Sequence, residues 1–376
     1  MPAMLRVVIA GGGTGGHTSA GLAIAAALRQ RLGDGVELLW VGSRGGVEAE
    51  AAPRAGIPYQ AIATGKLRRA WSAQNLVDLL VRVPAGLVQA IVVLRRLSPH
   101  VVVATGGFVA VPTAVAAWLL RVPVLIHEQT AISGLANRLT ARLARLIAVT
   151  FPASSRHFPP GKVVVTGNPL RPELLRAERS GAAGRLGLDP ALPLVYVTGG
   201  AQGAHRINRA VGEALPRLLG VCQVVHQCGE NVYDDHGWLA ARAGGLAEPL
   251  RGRYRLLPFV REALADIYAA VSLVVGRAGA GTVNELCHLG LPAVLIPLPG
   301  ARDDEQTANA RLLAGAGAAV LLPDADLSPE RLAETVLGLL GDPARLKAMG
   351  EQARTLAHPD AAERLVELVL EMAGRR

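Results

Sequence analysis

Eight residues near the N-terminus, Ala10 to His17 (AGGGTGGH), carry the sharpest chemical signal in the chain. They follow an apolar run, Leu5 to Ala10, and precede an Ala/Leu-rich helical stretch, so they read as a strand, a glycine loop and a helix start. Glycines without Cβ atoms let backbone N–H groups close on an anion, and the helix points its positive dipole end at the same place. Gly11, Gly13 and Gly16 also satisfy the dinucleotide pattern G-x-G-x-x-G, which asks in addition for an acid at the end of the second strand to hold ribose hydroxyls. That strand, Val36 to Ser43, ends in Val-Gly-Ser-Arg, and its acid, Glu37, lies at the other end. A diphosphate suits the loop better than NAD does.

Further polar or glycine-rich segments sit where strands are expected to end. RAGAGTVNE (Arg277 to Glu285) offers the backbone amides of Ala280, Gly281 and Thr282 at a helix start, with Glu285 as a carboxylate for ribose or sugar hydroxyls. In PLPGARDDEQTANA (Pro297 to Ala310), Glu305, Gln306 and Asn309 have the chemistry to read a polar sugar. TGGF (Thr105 to Phe108), HEQT (His127 to Thr130) and GNPLR (Gly167 to Arg171) complete the set. Each has a plain structural alternative: TGGF as a tight turn, His17 as a helix cap, Glu128 and Glu285 as buried carboxylates paired with Arg138 or Arg277. The Trp and Phe residues read as core.

The elements that position these segments follow a regular alternation. Strand-like runs at Leu5 to Ala10, Val36 to Gly42, Tyr59 to Ala63, Val101 to Thr105, Val124 to His127, Leu146 to Thr150 and Lys162 to Thr166 are mostly separated by helical stretches, the βαβ pattern of a doubly wound parallel sheet. The pattern restarts after GNPLRPE, at Leu194 to Thr198, and continues through Val221 to Gln227, Tyr254 to Leu257, Leu273 to Val275, Ala293 to Leu298 and Ala319 to Leu322. YVTGGAQGAH (Tyr196 to His205) echoes VIAGGGTGGH (Val8 to His17) at the same structural point. The 376 residues therefore suit two α/β domains, and 51% apolar with 3% aromatic residues favours Val/Leu/Ala-built parallel sheets. Two such halves would set their strand ends and glycine loops on the walls of one cleft.

The surplus of 39 basic over 30 acidic residues, +9, is almost wholly arginine and permits anionic partners. No basic run interleaved with aromatics favours nucleic acid. Cys222, Cys228 and Cys287 lack metal spacing and read as reduced core residues in a cytosolic protein without a signal peptide. Leu76 to Leu97 is broken by Asp78, Arg82, Pro84, Gln89, Arg95 and Arg96, which excludes an ordinary transmembrane helix. With Lys66, Leu67, Arg68, Arg69, Ala70 and Trp71 before it, the segment combines cations with an apolar face, as a lipid-surface helix does; an amphipathic helix packed on the sheet is the alternative.

GGGTGGH, HEQ, GNPLR, GGAQGA, RAGAGTVNE and DDEQTANA, in this order and over nearly the whole chain, resemble the MurG family of glycosyltransferases. The resemblance implies an α/β GT-B fold, with two Rossmann-like doubly wound parallel-sheet domains at residues 1–167 (acceptor and membrane side) and 168–357 (donor side). A C-terminal helix, residues 358–376, would pack back on the first domain. It implies inverting transfer of GlcNAc from UDP-GlcNAc to the MurNAc O4 of undecaprenyl-pyrophosphoryl-MurNAc-pentapeptide (lipid I), giving lipid II at the cytoplasmic face of the cell membrane, to which the protein would bind peripherally. By motif matching, Ala280, Gly281, Thr282, Val283, Asn284 and Glu285 would line the donor site, with Val260 at the uracil, Gln306 and Glu305 at the GlcNAc, and Arg171, Thr130 and Ala201 also on the donor. Thr14, Gly15 and Gly16 would face the donor from the first domain. Gly13, Gly15, Gly16, His17, Gly106, Gly107, Phe108, His127 and Glu128 would take the acceptor, with His17 as candidate base and Glu285 also assigned to the catalytic set.

The chain departs from the family pattern at Thr130 (usually Asn), Ala201 (usually Ser), Ala20 (usually Pro) and Glu305 (commonly His or Gln). Without a D-x-D motif, the nearest acids being Asp303 to Glu305, no protein-held metal is expected, and a divalent cation would assist the diphosphate. The competing readings are another UDP-GlcNAc enzyme, such as a 2-epimerase, and a catalytically silent nucleotide-sugar-binding protein.

Overall fold

A computed structural model describes residues 4–65, 78–175, 178–260, 262–301 and 304–375. The chain forms two compact units, Met1–Arg171 with His358–Arg376, and Pro172–Ala357. Lys66 to Trp71 and Asp303 lie outside the described residues.

The first unit is built on seven parallel strands: β1 (Leu5–Gly11), β2 (Val36–Ser43), β3 (Tyr59–Ile62), β4 (Val101–Gly106), β5 (Val124–Glu128), β6 (Leu146–Val149) and β7 (Val163–Val165). They lie in the order β3-β2-β1-β4-β5-β6-β7. The helices are α1 (Gly15–Leu32), α2 (Glu48–Arg54), α3 (Val83–Leu97), α4 (Ala110–Leu119) and α5 (Leu135–Thr140). The second unit repeats the plan with β8 (Leu194–Thr198), β9 (Gln223–Gln227), β10 (Tyr254–Leu257), β11 (Leu273–Gly276), β12 (Ala293–Leu295) and β13 (Ala319–Leu321), in the order β10-β9-β8-β11-β12-β13. Its longer helices are α6 (His205–Leu219), α7 (Asp235–Gly244), α8 (Leu264–Ala270), α9 (Ala280–Leu289), α10 (Glu305–Gly315), α11 (Pro329–Leu340) and α12 (Pro343–Thr355). The final helix, α13 (Ala361–Met372), packs on α1 and belongs to the first unit.

Strand alternation explains the two apolar layers of the first unit. Val8, Ala10, Val102 and Ala104 face Ala90 and Leu94 of α3 and Ala110 and Ala114 of α4. Val7, Ile9, Val101 and Val103 face Ile24 and Leu28 of α1 and Leu365 and Val369 of α13. Each of the larger side chains so buried contributes roughly 1.5–3 kcal/mol, which is why these strands read as continuous apolar runs. Hydrogen bonds from Arg375 Nη2 to Met4 O (2.9 Å) and from Arg364 Nη1 to Val165 O (3.2 Å) add to the docking of α13.

In each sheet the strand order reverses once, between β1 and β4 and between β8 and β11. The loops after these strands open at the carboxyl ends, where parallel α/β sheets take their ligands. They are the loops that hold GGGTGGH and TGGF in one unit and GGAQGA and RAGAG in the other.

Candidate active site

In the first unit the glycine loop is already partly filled from within. Glu48, the first residue of α2, is fully buried, and its carboxylate accepts hydrogen bonds from Gly13 N (3.0 Å), Ser43 N (2.9 Å) and Ser43 Oγ (2.7 Å). A Cβ on Gly12 would overlap that carboxylate, so glycine there serves an internal anion. Gly12 N donates to Gly106 O. The expected cradle for a diphosphate is therefore shorter than the motif: the amides of Thr14, Gly15 and Gly16 are those that make no hydrogen bond among the described residues. They stand at the positive end of an 18-residue helix, where an anion is favoured.

His17 sits at the third position of that helix, its amide hydrogen-bonded to Thr14 Oγ1 at 3.4 Å. Thr14, rather than the imidazole, is the side-chain cap. The half-buried ring lies over Gly106, whose φ of +112° and proximity to the imidazole (a Cβ would come 2.8 Å from His17 Cε1) admit only glycine without strain. His17 Nδ1 is 2.9 Å from Gln129 Oε1. Gln129 Nε2 in turn faces Thr105 O (2.9 Å), His127 O (2.7 Å) and His127 Nδ1 (3.1 Å), and His127 Nε2 donates to Gly167 O (3.0 Å). Burial holds the His127 pKa down to about 4, with a smaller contribution from the neighbouring His17, so this ring is neutral.

In the second unit α9 begins at Gly279 without a side-chain cap, and Ala280, Gly281 and Thr282 present amides with no hydrogen bond among the described residues. Glu285, one turn on and half-exposed, accepts a hydrogen bond from Tyr268 Oη at 2.7 Å. Gln306, at the start of α10, accepts one from Leu298 N at 3.0 Å. Uncapped amides followed by a positioned carboxylate can bind a nucleoside diphosphate: phosphate at the helix start, hydroxyls on the acid.

The N-terminal domain of glycosyltransferase family 28 matches residues 7–149 and the C-terminal domain of that family matches residues 194–365. UDP-N-acetylglucosamine--N-acetylmuramyl-(pentapeptide) pyrophosphoryl-undecaprenol N-acetylglucosamine transferases from Desulforudis audaxviator and Nitrosococcus oceani are 39% and 44% identical over 375 and 377 residues, covering 99% and 98% of this chain and 99% of each relative. The crystal structure of MurG from Acinetobacter baumannii superposes with a TM-score of 0.73 at 30% identity, covering 98% of this chain and 99% of that one. The chain belongs to glycosyltransferase family 28. Within it the chain is a member of the MurG family, and its two Rossmann-like parallel-sheet units are of the GT-B class.

Against the family motifs, the residues fall into two groups. Thr14, Gly15, Gly16 and His17 present open amides or a half-buried ring at the β1 end, with Gly13, Gly107 and Phe108 beside them on partly or fully exposed loop positions. Gly106 is buried beneath the imidazole. Ala201 is exposed on the second glycine loop, Val260 is buried just after β10, and Arg171 is the last residue of the first unit. His127, Glu128 and Thr130 are buried instead. Glu128 accepts from Thr130 N, Thr130 Oγ1, Gly134 N and Asn137 Nδ2, while Arg138 turns to Ser133, so loop amides and a side-chain amide occupy the place expected for a cation. The Thr130 hydroxyl also lies 2.6 Å from Ile132 O, inside the same loop. Val283 is fully buried with its N–H on Gly279 O (3.0 Å), and the side-chain amide of Asn284 donates back to Ala280 O (2.8 Å), so both help to build the helix start.

Arg277 joins Asp324 at 2.7 Å, and Glu285 accepts a hydrogen bond from Tyr268. Two residues escaped the motif reading, Gln129 and Glu48. Period-2 alternation places 127 and 129 on one side of an extended chain, the signal that could have singled out Gln129. No local signal ties Glu48 to a loop 35 residues earlier. Trp40, Phe151 and Phe158 are core, as expected, whereas Trp118 and Phe259 are exposed.

Proposed function

We infer that this chain transfers N-acetylglucosamine from UDP-GlcNAc to the MurNAc O4 of lipid I, forming lipid II and UDP in peptidoglycan synthesis. The full-length identity to such transferases carries this reading. An inverting displacement forms the C1–O4 bond as the bond from C1 to the β-phosphate oxygen breaks. The O4 proton needs a base, and the departing UDP needs its new charge stabilised. His17 is the group we assign to the proton. The amides of Ala280, Gly281 and Thr282, at the positive end of α9, receive the diphosphate, with Glu285 on the ribose and Gln306 on the sugar. Thr14, Gly15 and Gly16 take the acceptor's diphosphate. In this reading a divalent cation, where one takes part, arrives with the diphosphate.

An anionic membrane surface is the second partner we propose, at the cytoplasmic face. Leu80, Val81, Val88 and Val92 on or just before α3, Trp118 and Leu119 at the end of α4, and Leu139 on α5 are all exposed. The three helices pack in series, and Arg138, Arg142 and His157 line a hollow beside Leu139. No described helix is long and apolar enough to cross a membrane. Exposed apolar side chains ringed by cations bind anionic lipid without spanning it.

The decisive test incubates the protein with UDP-GlcNAc and a short-chain lipid I analogue and follows UDP and disaccharide product by mass spectrometry, with His17→Ala and Glu285→Ala alongside. Lipid I-dependent UDP release, weakened in both variants, is expected. Release without acceptor would point to an epimerase or hydrolase, and donor binding without turnover to a silent binding protein.

A further inference from the structure

We propose that Gln129 is the positioning residue of the reaction: its side-chain amide locks His17 as the Nδ1–H tautomer and so turns the Nε2 lone pair outward as the base. The proposal rests on the assignment of His17 as base and adds to it the group that sets its proton.

Hydrogen-bond polarity fixes which way the Gln129 amide faces. Gln129 is 1% exposed, and one end of its amide lies against three acceptors, Thr105 O at 2.9 Å, His127 O at 2.7 Å and His127 Nδ1 at 3.1 Å. Two of these are backbone carbonyls, which never donate. His127 Nδ1 is itself an acceptor, because the opposite nitrogen of that neutral ring must give its proton to Gly167 O at 3.0 Å. Only the NH2 end of Gln129 suits this environment; turning the amide over would aim a carbonyl oxygen at three lone pairs in a buried site. Oε1 is thereby fixed toward His17, 2.9 Å from Nδ1, and an oxygen acceptor there requires Nδ1 to carry hydrogen.

A neutral imidazole has one N–H, so Nε2 is left with its lone pair. Nε2 makes no hydrogen bond among the described residues, and the ring is half-buried at a helix start. The choice of an amide has its own consequence. A carboxylate in the same place would fix the same tautomer but favour the imidazolium, which is no base. Gln129 orients the ring without adding charge.

The first test uses the unaltered protein. With 15N- and 13C-labelled histidine, and His17→Ala to assign its resonances, the neutral His17 ring is expected to show protonated Nδ1 and unprotonated Nε2. The Nε2–H tautomer would overturn the proposal. The second test uses two variants in the lipid I assay. Gln129→Met keeps side-chain length but removes the acceptor; kcat should fall at least about tenfold while KM for UDP-GlcNAc stays within about twofold. Gln129→Glu keeps an acceptor, and the acid limb of the pH profile for kcat/KM of the acceptor should move upward, because the carboxylate raises the pKa of the base. Unchanged kcat in the Met variant, or an unmoved acid limb in the Glu variant, would overturn the positioning role. An Nδ1–H ring in a protein without lipid I-dependent turnover would overturn the transferase reading and, with it, the catalytic part of this proposal, while the amide–imidazole pair itself would stand.

Discussion

The two glycine loops share a pattern, GGGTGGH in one unit and GGAQGAH in the other, and each delivers a histidine to the first residues of a helix. The histidines then meet different partners. His17 faces the neutral amide of Gln129, whereas His205 pairs at 2.7 Å with Asp235, whose side chain is wholly buried. Burial alone would raise the Asp235 carboxyl, but hydrogen bonds from Asn208, Asn231 and His205 hold it below the usual range. Beyond each partner lies a buried neutral histidine, reached directly from Gln129 in the first unit (His127) and through Asn208 in the second (His226). In the proposed assignment an amide leaves the half-buried imidazole of His17 available as a base, whereas the carboxylate of Asp235, with Tyr233 stacked 4.2 Å away, ties the imidazole of His205 into the scaffold. On that assignment, two similar loops divide into chemistry and scaffolding according to one partner residue.

Replacing the two histidines in turn gives the largest expected contrast. His17→Ala should lower lipid I-dependent turnover about 10²- to 10⁴-fold with the unfolding midpoint nearly unchanged. His205→Ala should do the reverse, leaving turnover within a few-fold and destabilising by about 1 kcal/mol, since Asp235 keeps Asn208 and Asn231. Turnover assays and denaturant unfolding on both variants check this. Equal kinetic losses would erase the distinction between the loops.

A second contrast concerns what holds each loop in place. The first is tied by the carboxylate of Glu48, while the second is held by neutral groups, through Gly203 N to Gly200 O (3.0 Å), Gly200 N to Thr198 Oγ1 (3.1 Å) and Gln227 Nε2 to Gly200 O (3.1 Å). Glu48→Ala should therefore destabilise the protein by about 2–4 kcal/mol, because Gly13 and Ser43 lose a buried charged acceptor. Thr198→Val should cost about 1 kcal/mol. A shallower loss for Glu48→Ala, read from chemical denaturation, would mean that water replaces the carboxylate and that the loop is not built around it.

These cases also mark what was legible in the chain. Apolar runs such as Val101 to Thr105 announce buried parallel strands, and the observed ladder differs mainly at the ends. Val221 is exposed and β9 starts at Gln223, while β12 stops at Leu295, just before Pro297, which has no N–H for a ladder. Glycine loops were equally plain, because strand, glycines and helix start are contiguous in sequence. Occupancy of the loop was not, since Glu48 reaches back across an intervening helix and strand. Gln129 was masked by its neighbours: titratable His127 and Glu128 draw attention as ligands, yet both are buried and organise the loop, and the uncharged residue beside them touches the half-buried imidazole of His17.

The smallest effect we expect probes the inner ends of the two histidine chains. Burial holds His127 down to about 4 and His226 down to about 3, the latter despite the nearby Asp235, which favours the charged ring. In the unfolded chain both return to about 6.5. As pH falls below that value the unfolded state takes up two protons that the folded state refuses, so stability must fall, by up to about 1.4 kcal/mol per pH unit for each histidine, until His127 itself titrates near 4. Asp235 works in a lower window: its depressed pKa supplies stability that is lost only as the pH drops through and below the ordinary carboxylate range. Denaturant midpoints measured between neutral pH and about pH 5 should therefore decline in the parent protein and decline about half as steeply in His226→Gln. A flat profile in the parent would mean that the buried rings are protonated within the folded state, and the neutral His127 that orients Gln129, and through it His17, would be lost with them.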